Sequence, residues 1–420
     1  MTDFIDATAT ESVGGPDDTT QPYDFPMARQ SSCPFAPPPE YAEMRASNPV
    51  AKAKLRWSGK PVWLVSKHED AKRVLGDTTM SSNWKHPGYP LQVPAPDEII
   101  QMIELPMVAM DPPAHRARRR LLTPELTMQR VQALRPRIQQ IVDEHVDAML
   151  AAGGPVDLVQ ALAFPVPALL FCELLGVPVE DSELFKRVTQ TLVRSDVEQD
   201  EMMAAQQEME VYLNQLIAAK ESADADDVMH RIIVKNREGG GLDRGDIVNI
   251  AKAMLFGGYD TASNMIALGT LVLLEHPDQL AELAADPSLI PGAVEELLRY
   301  LSIADSSPAR VTTQDVEVGG QLIRAGEGII VLTGSASRDD EAFADADTFD
   351  IHRDARGHSA FGHGIHQCPG ANVVRVELEV VFATLLRRIP GLRLAVPMES
   401  LSFKSGTLVH GVNGELPVTW

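Results

Sequence analysis

One glycine-rich stretch with a single cysteine carries the residue types best suited to chemistry. It reads FGHGIHQCPGA from Phe361 to Ala371, with glycine at three of its eleven positions. Glycines at this density predict a tight loop whose main chain approaches something flat and large. Cys368 ends the loop, and Pro369 suits the first turn of a helix predicted over residues 371–388. A thiolate is favoured at a helix N-terminus, and beside such a loop it can ligate haem iron.

Two other interpretations of this cysteine stay open on spacing alone. A lone cysteine is often a buried structural thiol. Cys368 could also join His363 and His366 in a zinc site, although zinc sites use four ligands in spaced pairs. The other two cysteines, Cys33 and Cys172, stand alone in the sequence. The loop by itself is one signal and does not separate these possibilities.

The stretch is similar to the haem-binding loop of the cytochromes P450. That loop has the pattern FxxGxxxCxG and, in its bacterial form, a histidine two residues before the cysteine. The matching residues are Phe361, Gly362, Gly364, His366, Cys368 and Gly370. Pro369, where bacterial members more often carry an aliphatic residue, departs from the family without touching the ligand. The resemblance implies a haem b cofactor, with Cys368 as the axial ligand of the iron and the other matching residues around the cofactor.

Composition limits the class of protein. The 420 residues carry a net charge of −22, which argues against nucleic-acid and membrane partners. Three scattered cysteines provide no disulfide framework and fit a reducing cytosol, so we expect a cytoplasmic protein. We also expect a monomer. Residues 1–24 are predicted to be a disordered tail, and residues 25–420 a single domain, because no linker or repeat divides them. Residues 161–179 are apolar but rich in proline, which favours a buried core helix over a membrane span.

A run of basic residues at positions 115–120 stands out in this acidic chain. Asp111, Pro112 and Pro113 predict a helix N-terminus with Asp111 as the capping acid. His115 and Arg119 are four residues apart on the helix that follows and share one face. Such a run is by default a solvated charged face. The resemblance implies instead that His115 and Arg119 are the family's HxxxR pair, which binds the haem propionates.

The other arginines of this run are Arg116, Arg118 and Arg120, on other faces of the same helix. A small basic patch on a protein of net charge −22 would attract an acidic partner by electrostatic steering. We therefore expect an acidic ferredoxin to dock there, beside the Cys368 loop.

A long helix is predicted from Asp243 to Leu274, with two adjacent glycines, Gly257 and Gly258, near its middle. Each glycine costs about 1 kcal/mol relative to alanine inside a helix, so a specific requirement is expected. Close packing against another helix is one possibility. A local widening of the helix, where a ligand approaches the backbone, is the other.

Asp260 and Thr261 follow these glycines and provide a carboxylate and a hydroxyl suited to a proton relay. Together they resemble the family pattern of Ala or Gly, then Gly, any residue, Asp or Glu, and Thr. The resemblance implies catalytic roles for Asp260 and Thr261 and positions beside the cofactor for Gly257 and Gly258. Ala262, where many relatives carry Thr or Ser, is a departure.

Two further motifs match the family. Glu296 and Arg299 lie on a helix predicted over residues 291–301 and by default form a surface salt bridge. The resemblance implies instead the ExxR motif, which with Arg353 forms a buried, structural network leading to the cysteine loop. Arg310, in a predicted strand, falls where the family has another propionate-binding arginine.

The remaining pattern is mostly helical. Residues 50–56 and 61–66 predict a β-hairpin, residues 124–235 a run of amphipathic helices, and the region after residue 309 several short strands. A turn is expected at residues 405–407. Weak periodicity and many prolines between residues 76 and 110 favour a substrate-covering loop over an ordered surface loop.

The order of the motifs resembles that of a complete cytochrome P450. The fold implied is mainly α with small β-sheets, triangular, with haem between the long central helix and the cysteine-loop helix. The roof of the substrate cavity would lie in roughly residues 170–215.

The activity implied is monooxygenation. One oxygen atom of O2 enters a hydrophobic small molecule, such as a polyketide, macrolide, statin or sterol-like compound. Electrons come from NAD(P)H through a ferredoxin reductase and a ferredoxin. One alternative is a nitric-oxide-reducing relative that takes electrons directly from NAD(P)H, which the presence of Asp260 disfavours. A haem-thiolate protein that binds ligands without catalysis is the second alternative.

Overall fold

Helices dominate the computed structural model, which describes residues 23–30, 33–92, 97–193, 198–223, 225–304, 308–404 and 409–420. The helices are α1 Glu40–Ser47, α2 His68–Gly76, α3 Asp97–Met102, α4 Ala114–Leu122, α5 Met128–Ala152, α6 Pro165–Leu175, α7 Ser182–Val193, α8 Gln199–Lys220, α9 Val228–Arg237, α10 Arg244–Glu275, α11 Pro277–Ala285, α12 Ile290–Leu301, α13 Thr333–Ala336 and α14 Ala371–Arg388. The strands are β1 Tyr23–Phe25, β2 Val50–Leu55, β3 Pro61–Val65, β4 Val156–Asp157, β5 Ala309–Val311, β6 Val316–Val318, β7 Gln321–Ile323, β8 Gly328–Val331, β9 Arg393–Leu394 and β10 Pro417–Thr419. The prediction of a mainly α fold with small sheets is confirmed.

The strands form three small sheets. The largest has the order β1-β2-β3-β8-β5 and contains the predicted hairpin, in which Val50 pairs with Val65. Strands β4, β10 and β9 form the second sheet, and β6 and β7 the third. β5 pairs antiparallel with β8, and this pairing places Arg310 opposite Ile329. The short strands predicted after residue 309 are therefore present.

The N-terminal boundary differs from the prediction. Tyr23 and Asp24 pair in parallel with Ala53 and Lys54 of β2. These two residues belong to the sheet because β2 offers them backbone partners, which the composition of the tail does not reveal. The rest of the predicted tail lies outside the described residues, as does the turn expected at 405–407.

The long helix α10 is the central element of the fold. Its 32 residues span roughly 48 Å at about 1.5 Å per residue. Asp243 caps it by accepting a hydrogen bond from the Asp246 N–H, and the Asp246 carboxylate accepts one from the Asp243 N–H in return. α10 packs against α6, α8, α12 and α14, and α14 packs extensively on α5. The cysteine-loop helix and the long helix thus belong to one core.

The predicted cap at Asp111 is wrong. α4 begins at Ala114, and the residue in the N-cap position is Pro113. The carboxylate of Asp111 accepts hydrogen bonds from the Ser82 N–H, at 2.7 Å, and from the Ser81 hydroxyl. A carboxylate engaged by a neighbouring loop is not available to the helix amides, and only the tertiary structure brings that loop to Asp111.

The apolar segment at residues 161–179 is a buried helix, as predicted. α6 is only 11 residues long, begins at Pro165 and ends before Gly176, whose φ of +63° is left-handed. Within the described ranges, no helix is both long and apolar enough to cross a membrane.

Candidate active site

The cysteine loop is held by its own backbone and by α2. The Cys368 N–H donates to the carbonyl of Phe361 at 2.9 Å. Gly362 and Gly364 have φ values of +66° and +73°, which disfavour any side chain. A Cβ at Gly364 would lie 2.4 Å from the Leu75 carbonyl oxygen, so this glycine also lets the loop pack on α2.

The sulfur of Cys368 lies at the start of α14, beside Gly370. A Cβ at Gly370 would be 3.8 Å from the sulfur. Cys368 keeps partial solvent exposure, yet enough protein surrounds the sulfur that burial raises the pKa of its thiol. The N–H groups of Gly370 and Ala371 and the charge of Arg119 act in the opposite direction but do not outweigh burial. Burial of the thiol thus opposes the thiolate, whereas the N–H groups at the start of α14 favour it, as expected of a helix N-terminus.

The zinc alternative gains no support. In the part of the chain that the structure describes, no group of three or more His, Cys, Asp or Glu side chains is arranged to hold a metal ion. Cys33, Cys172 and Cys368 form no disulfide bond with one another. A single thiolate ligand, as in a haem-thiolate site, is compatible with this arrangement.

Four basic side chains from three parts of the chain meet beside the cysteine loop. They are His115, Arg119, Arg310 and His366, which we call the basic cluster. The rings of His115 and His366 have centroids 4.0 Å apart. His366 Nε2 lies 3.1 Å from the Ser82 hydroxyl, and Arg310 donates to the Ala309 carbonyl at 2.8 Å.

The pKa values of the basic cluster reflect burial first and mutual repulsion second. Burial, followed by Arg310, His115 and Arg119, lowers the pKa of His366 to about 3. Burial, followed by Arg119 and Arg310, lowers the pKa of His115 to about 4. Burial lowers the pKa of both arginines as well. Both histidines are therefore neutral at pH 7.

The basic cluster lacks the anions that would balance it. Among the described residues, neither Arg119 nor Arg310 forms an ion pair with a carboxylate, and Asp111 is occupied by Ser81 and Ser82. Burying cations without partners is costly, and a pair of ligand carboxylates would remove that cost. The residues present thus fit the two propionates of a haem whose iron is bound by Cys368.

The two central glycines of α10 serve different purposes. A Cβ at Gly258 would lie 1.9 Å from Cζ of Phe171 in α6, so Gly258 is required by helix packing. A Cβ at Gly257 would have no atom within 4 Å. Ala253, Gly257 and Thr261 form one accessible stripe along the helix. The predicted widening is absent, because the backbone is α-helical throughout 244–275.

Comparison with known proteins identifies this arrangement. Residues 193–390 match the family model described as Cytochrome P450. The chain is 42% identical to Vitamin D3 dihydroxylase of Streptomyces griseolus, over 98% of this chain and 100% of the relative. It is 43% identical to Pentalenic acid synthase of Streptomyces avermitilis, over 95% of this chain and 98% of the relative. The chain belongs to the cytochrome P450 family.

The fold of this P450 is that of solved relatives. Cytochrome P450 MoxA from Nonomuraea recticatena superposes with a TM-score of 0.89 at 47% identity, over 94% of this chain and 98% of that chain. The protein is accordingly a cytochrome P450 monooxygenase, and the family implies haem as its cofactor.

Asp260 of the P450 is held by two residues that sequence reasoning missed. Its Oδ1 accepts from Lys404 Nζ at 2.9 Å and from Asn264 Nδ2 at 2.8 Å. Thr261 Oγ1 donates to the Gly257 carbonyl at 2.9 Å. Asn264 stands four residues from Asp260 and could have been found by helical spacing, whereas a lone lysine 144 residues away gives no signal.

The ExxR network is buried and complete. Arg299 donates to both oxygens of Glu296, from Nε at 2.7 Å and from Nη2 at 2.8 Å. Arg353 Nε donates to Glu296 Oε1 at 3.2 Å, and the Asp350 N–H donates to the same oxygen at 3.0 Å. Arg299 also binds the carbonyls of Ser337 and Ala346. Each of the three charged side chains in this network has a partner of opposite charge.

One of the three arginines of the predicted docking patch is not at the surface. Arg118 is buried and forms an ion pair with Asp246 in the first turn of α10. Arg116 and Arg120 are exposed, and Arg120 reaches the Gly239 carbonyl at 3.4 Å. Arg118 therefore anchors α4 to α10 and is not available to a partner.

Proposed function

We propose that this P450 inserts one oxygen atom of O2 into a hydrophobic natural product, with electrons from NAD(P)H delivered by a ferredoxin reductase and a ferredoxin. The observation that carries the proposal is the Asp260–Thr261 pair on α10, next to the open position at Gly257. The relatives named for vitamin D3 and pentalenic acid support a terpenoid or sterol-like substrate.

Haem, when bound, supplies the iron at which O2 is activated. Cys368 would hold the iron, and the basic cluster would bind the propionates. Gly257 leaves open space on the accessible stripe of α10, where O2 and the substrate would be accommodated.

Thr261 and Asp260 are suited to holding and moving a proton. The Thr261 hydroxyl donates its hydrogen to the carbonyls of Gly257 and Gly258, so its lone pairs can accept a hydrogen bond from water on the accessible stripe. Lys404 and Asn264 both bind Oδ1 of Asp260. Its Oδ2 accepts no hydrogen bond from the described residues and can take up a proton from solvent.

Apolar side chains support the substrate-covering role proposed for residues 76–110. Ile99, Met102 and Val108 are exposed by 50%, 82% and 59%. Asn249 of α10 donates to Glu104 Oε1 at 3.2 Å and to the Leu105 carbonyl at 3.1 Å, which attaches this segment to the central helix. An apolar substrate would cover the exposed side chains and gain their hydrophobic contact.

Isotope labelling tests the reaction class. We expect turnover under 18O2 with ferredoxin, its reductase and NAD(P)H to yield a product that contains one 18O atom. Substrates are first selected from a panel of terpenoids, sterols and macrolides by the low- to high-spin shift of the ferric Soret band. Fast anaerobic reduction of nitric oxide by NAD(P)H without ferredoxin would support the first alternative. Spectral binding of the panel without any labelled product would support a ligand-binding protein.

A matched pair of variants tests the relay. Thr261→Ala should lower the ratio of product to NAD(P)H about tenfold or more and raise hydrogen peroxide in compensation, because proton delivery is no longer directed. Ser263→Ala is the control, since Ser263 makes the same hydroxyl-to-carbonyl bond to Tyr259 but is buried away from the stripe. Equal product yields in both variants would exclude a relay role for Thr261.

The remaining parts of the proposal concern partner and location. Arg116 and Arg120 are the exposed arginines of α4 and fit an acidic ferredoxin. We further propose a cytoplasmic monomer, which the net charge of −22 and three free thiols favour.

A further inference from the structure

Phe361, the first residue of the cysteine loop, contacts two basic side chains. The guanidinium carbon of Arg375 lies 4.7 Å from the centroid of its ring, in cation–π geometry. The ring of His358 is its second neighbour, with a centroid distance of 5.6 Å. The carbonyl of Phe361 accepts a hydrogen bond from the Cys368 N–H, so the backbones of these two residues are hydrogen-bonded to each other.

Glu295 holds Arg375 in this position. Its two carboxylate oxygens accept from Nε and Nη2 of Arg375, the second at 3.1 Å. His358 Nε2 lies 3.3 Å from the same carboxylate, in an alignment that falls short of a hydrogen bond. Burial alone would raise the pKa of Glu295, but His358 and Arg375 outweigh it and bring the pKa to about 2. Glu295 is therefore an anion that orients the cation over Phe361.

The adjacent acidic residues Glu295 and Glu296 of α12 thus bind different parts of the protein. Glu296 binds Arg299 and Arg353 in the ExxR network. Glu295 binds Arg375 of α14, seven positions after Cys368. Arg375 lies in the second turn of α14, whose first residue is Ala371, and its guanidinium packs on the ring that begins the cysteine loop. The family motifs stated for the sequence contain neither Glu295 nor Arg375.

We propose that Arg375 and Glu295 are positioning residues that set the reduction potential of the haem bound at Cys368, because the cation packs on Phe361, whose carbonyl accepts the Cys368 N–H. The inference rests on Cys368 as the iron ligand. Reduction adds one electron, supplied by ferredoxin, to the ferric centre and gives the ferrous centre. A nearby cation stabilises the added negative charge and a nearby anion opposes it. The two residues therefore act in opposite directions on the same potential.

A redox titration of the holoenzyme in an optically transparent electrode cell tests this opposition. Arg375→Gln should shift the potential to more negative values, and Glu295→Gln to more positive values. At a fixed electrode potential, each should change the ferrous-to-ferric ratio on the order of three- to tenfold. The double variant should fall between the two single variants. Glu379→Gln is the control, because Glu379 lies on α14, as Arg375 does, but pairs with Arg135 of α5, and the potential of this variant should be unchanged.

The spectra separate this inference from the assignment of the ligand. Wild type and variants should share the thiolate-type Soret band of the ferrous CO complex. If wild type lacks that band, the assignment of Cys368 fails, whatever the potentials are. Potentials that shift in the same direction, or not at all, would overturn the role of the pair and indicate a structural contact only. Should Arg375→Gln fail to take up haem, Glu295→Gln decides alone, since a positive shift supports the proposal and any other result contradicts it.

Discussion

Two groups of side chains that contain arginines, the ExxR network and the basic cluster, differ in their charge balance. In the ExxR network, Glu296 and Arg299 have fully buried side chains and satisfy each other through two hydrogen bonds. In the basic cluster, Arg310 is 5% exposed and binds only the Ala309 carbonyl among the described residues. A group of buried charges that is complete within the chain holds the fold, whereas a group that lacks counter-charges is prepared for a ligand.

Glu377 is a third case, a buried carboxyl group that has no charged partner among the described residues. It lies on α14 with 1% exposure, and burial raises its pKa to about 8. It is therefore protonated at neutral pH and carries no charge. Balanced, unbalanced and neutralised charges thus occur within one core and should respond differently to substitution.

We expect the largest effect on stability where a substitution removes one charged partner from the ExxR network. Glu296→Gln leaves Arg299 buried with an incomplete set of partners and should lower the free energy of unfolding by about 3 to 5 kcal/mol. Urea unfolding followed by circular dichroism measures this loss. Glu341→Gln removes the exposed partner of Lys67 and should change the free energy by about 1 kcal/mol or less. Similar values for both variants would refute the structural role of the network.

The next effect concerns Glu377 and depends on pH. The carboxyl group has an ordinary pKa of 4.5 in the unfolded chain and about 8 in the folded protein, so the unfolded state loses its proton first as the pH rises. Stability should fall between pH 4.5 and pH 8, by roughly 2 to 4 kcal/mol from this group. The free energy of unfolding of Glu377→Gln should change less with pH over this range, and this variant should be more stable than wild type at pH 8. Parallel pH profiles of unfolding for the two proteins would contradict the assignment.

Removing a cation from the basic cluster should weaken haem binding but not the fold. Arg119→Gln should raise the rate of haem transfer to excess apomyoglobin about 10- to 100-fold, the value of one charged hydrogen bond. The haem-free variant should unfold at the same or a higher urea concentration than haem-free wild type, because a half-buried charge that forms no ion pair among the described residues is gone. Arg116→Gln on the exposed side of the same helix is the control and should lose haem at the wild-type rate. A haem-free Arg119→Gln protein that is less stable would place Arg119 with the balanced group.

The smallest effect is expected at the surface of α4. Arg116→Gln should slow reduction by ferredoxin about two- to fourfold at low salt and reduce the dependence of the rate on ionic strength, because exposed charges steer association and are screened. Stopped-flow reduction under carbon monoxide measures both quantities. Arg118→Gln should instead lower the free energy of unfolding, since Arg118 is paired with Asp246. Unchanged reduction by the Arg116 variant would locate docking elsewhere.

Features that depend on neighbours in the sequence were predicted well. The cysteine loop and the helix at residues 371–388 appear where glycine spacing and apolar periodicity indicate them. The start of α10 follows from Asp243 and Asp246, three residues apart, which form a capping box. The hairpin of β2 and β3 was also found, because alternation and a short turn define it.

Predictions failed where one local signal has two possible partners. Asp111 has the composition of a helix cap, but the loop at Ser81 and Ser82 takes its carboxylate. Arg116 and Arg118 look equivalent in sequence, and only the packing of α4 on α10 buries one and exposes the other. Gly257 and Gly258 differ in the same way, because α6 approaches only one of them.

The sequence by itself determined the order of the motifs, the start of α10, the bounds of α14 and the identity of the sulfur ligand candidate, since each rests on contacts within about one turn of helix or loop. The tertiary structure alone decided which charges are balanced. Lys404 reaches Asp260 across 144 residues, Ser82 reaches His366 across 284, and Glu295 reaches Arg375 across 80. Charge balance in a core depends on which side chains share a low-dielectric volume, and distant segments come to share it only when the chain has folded.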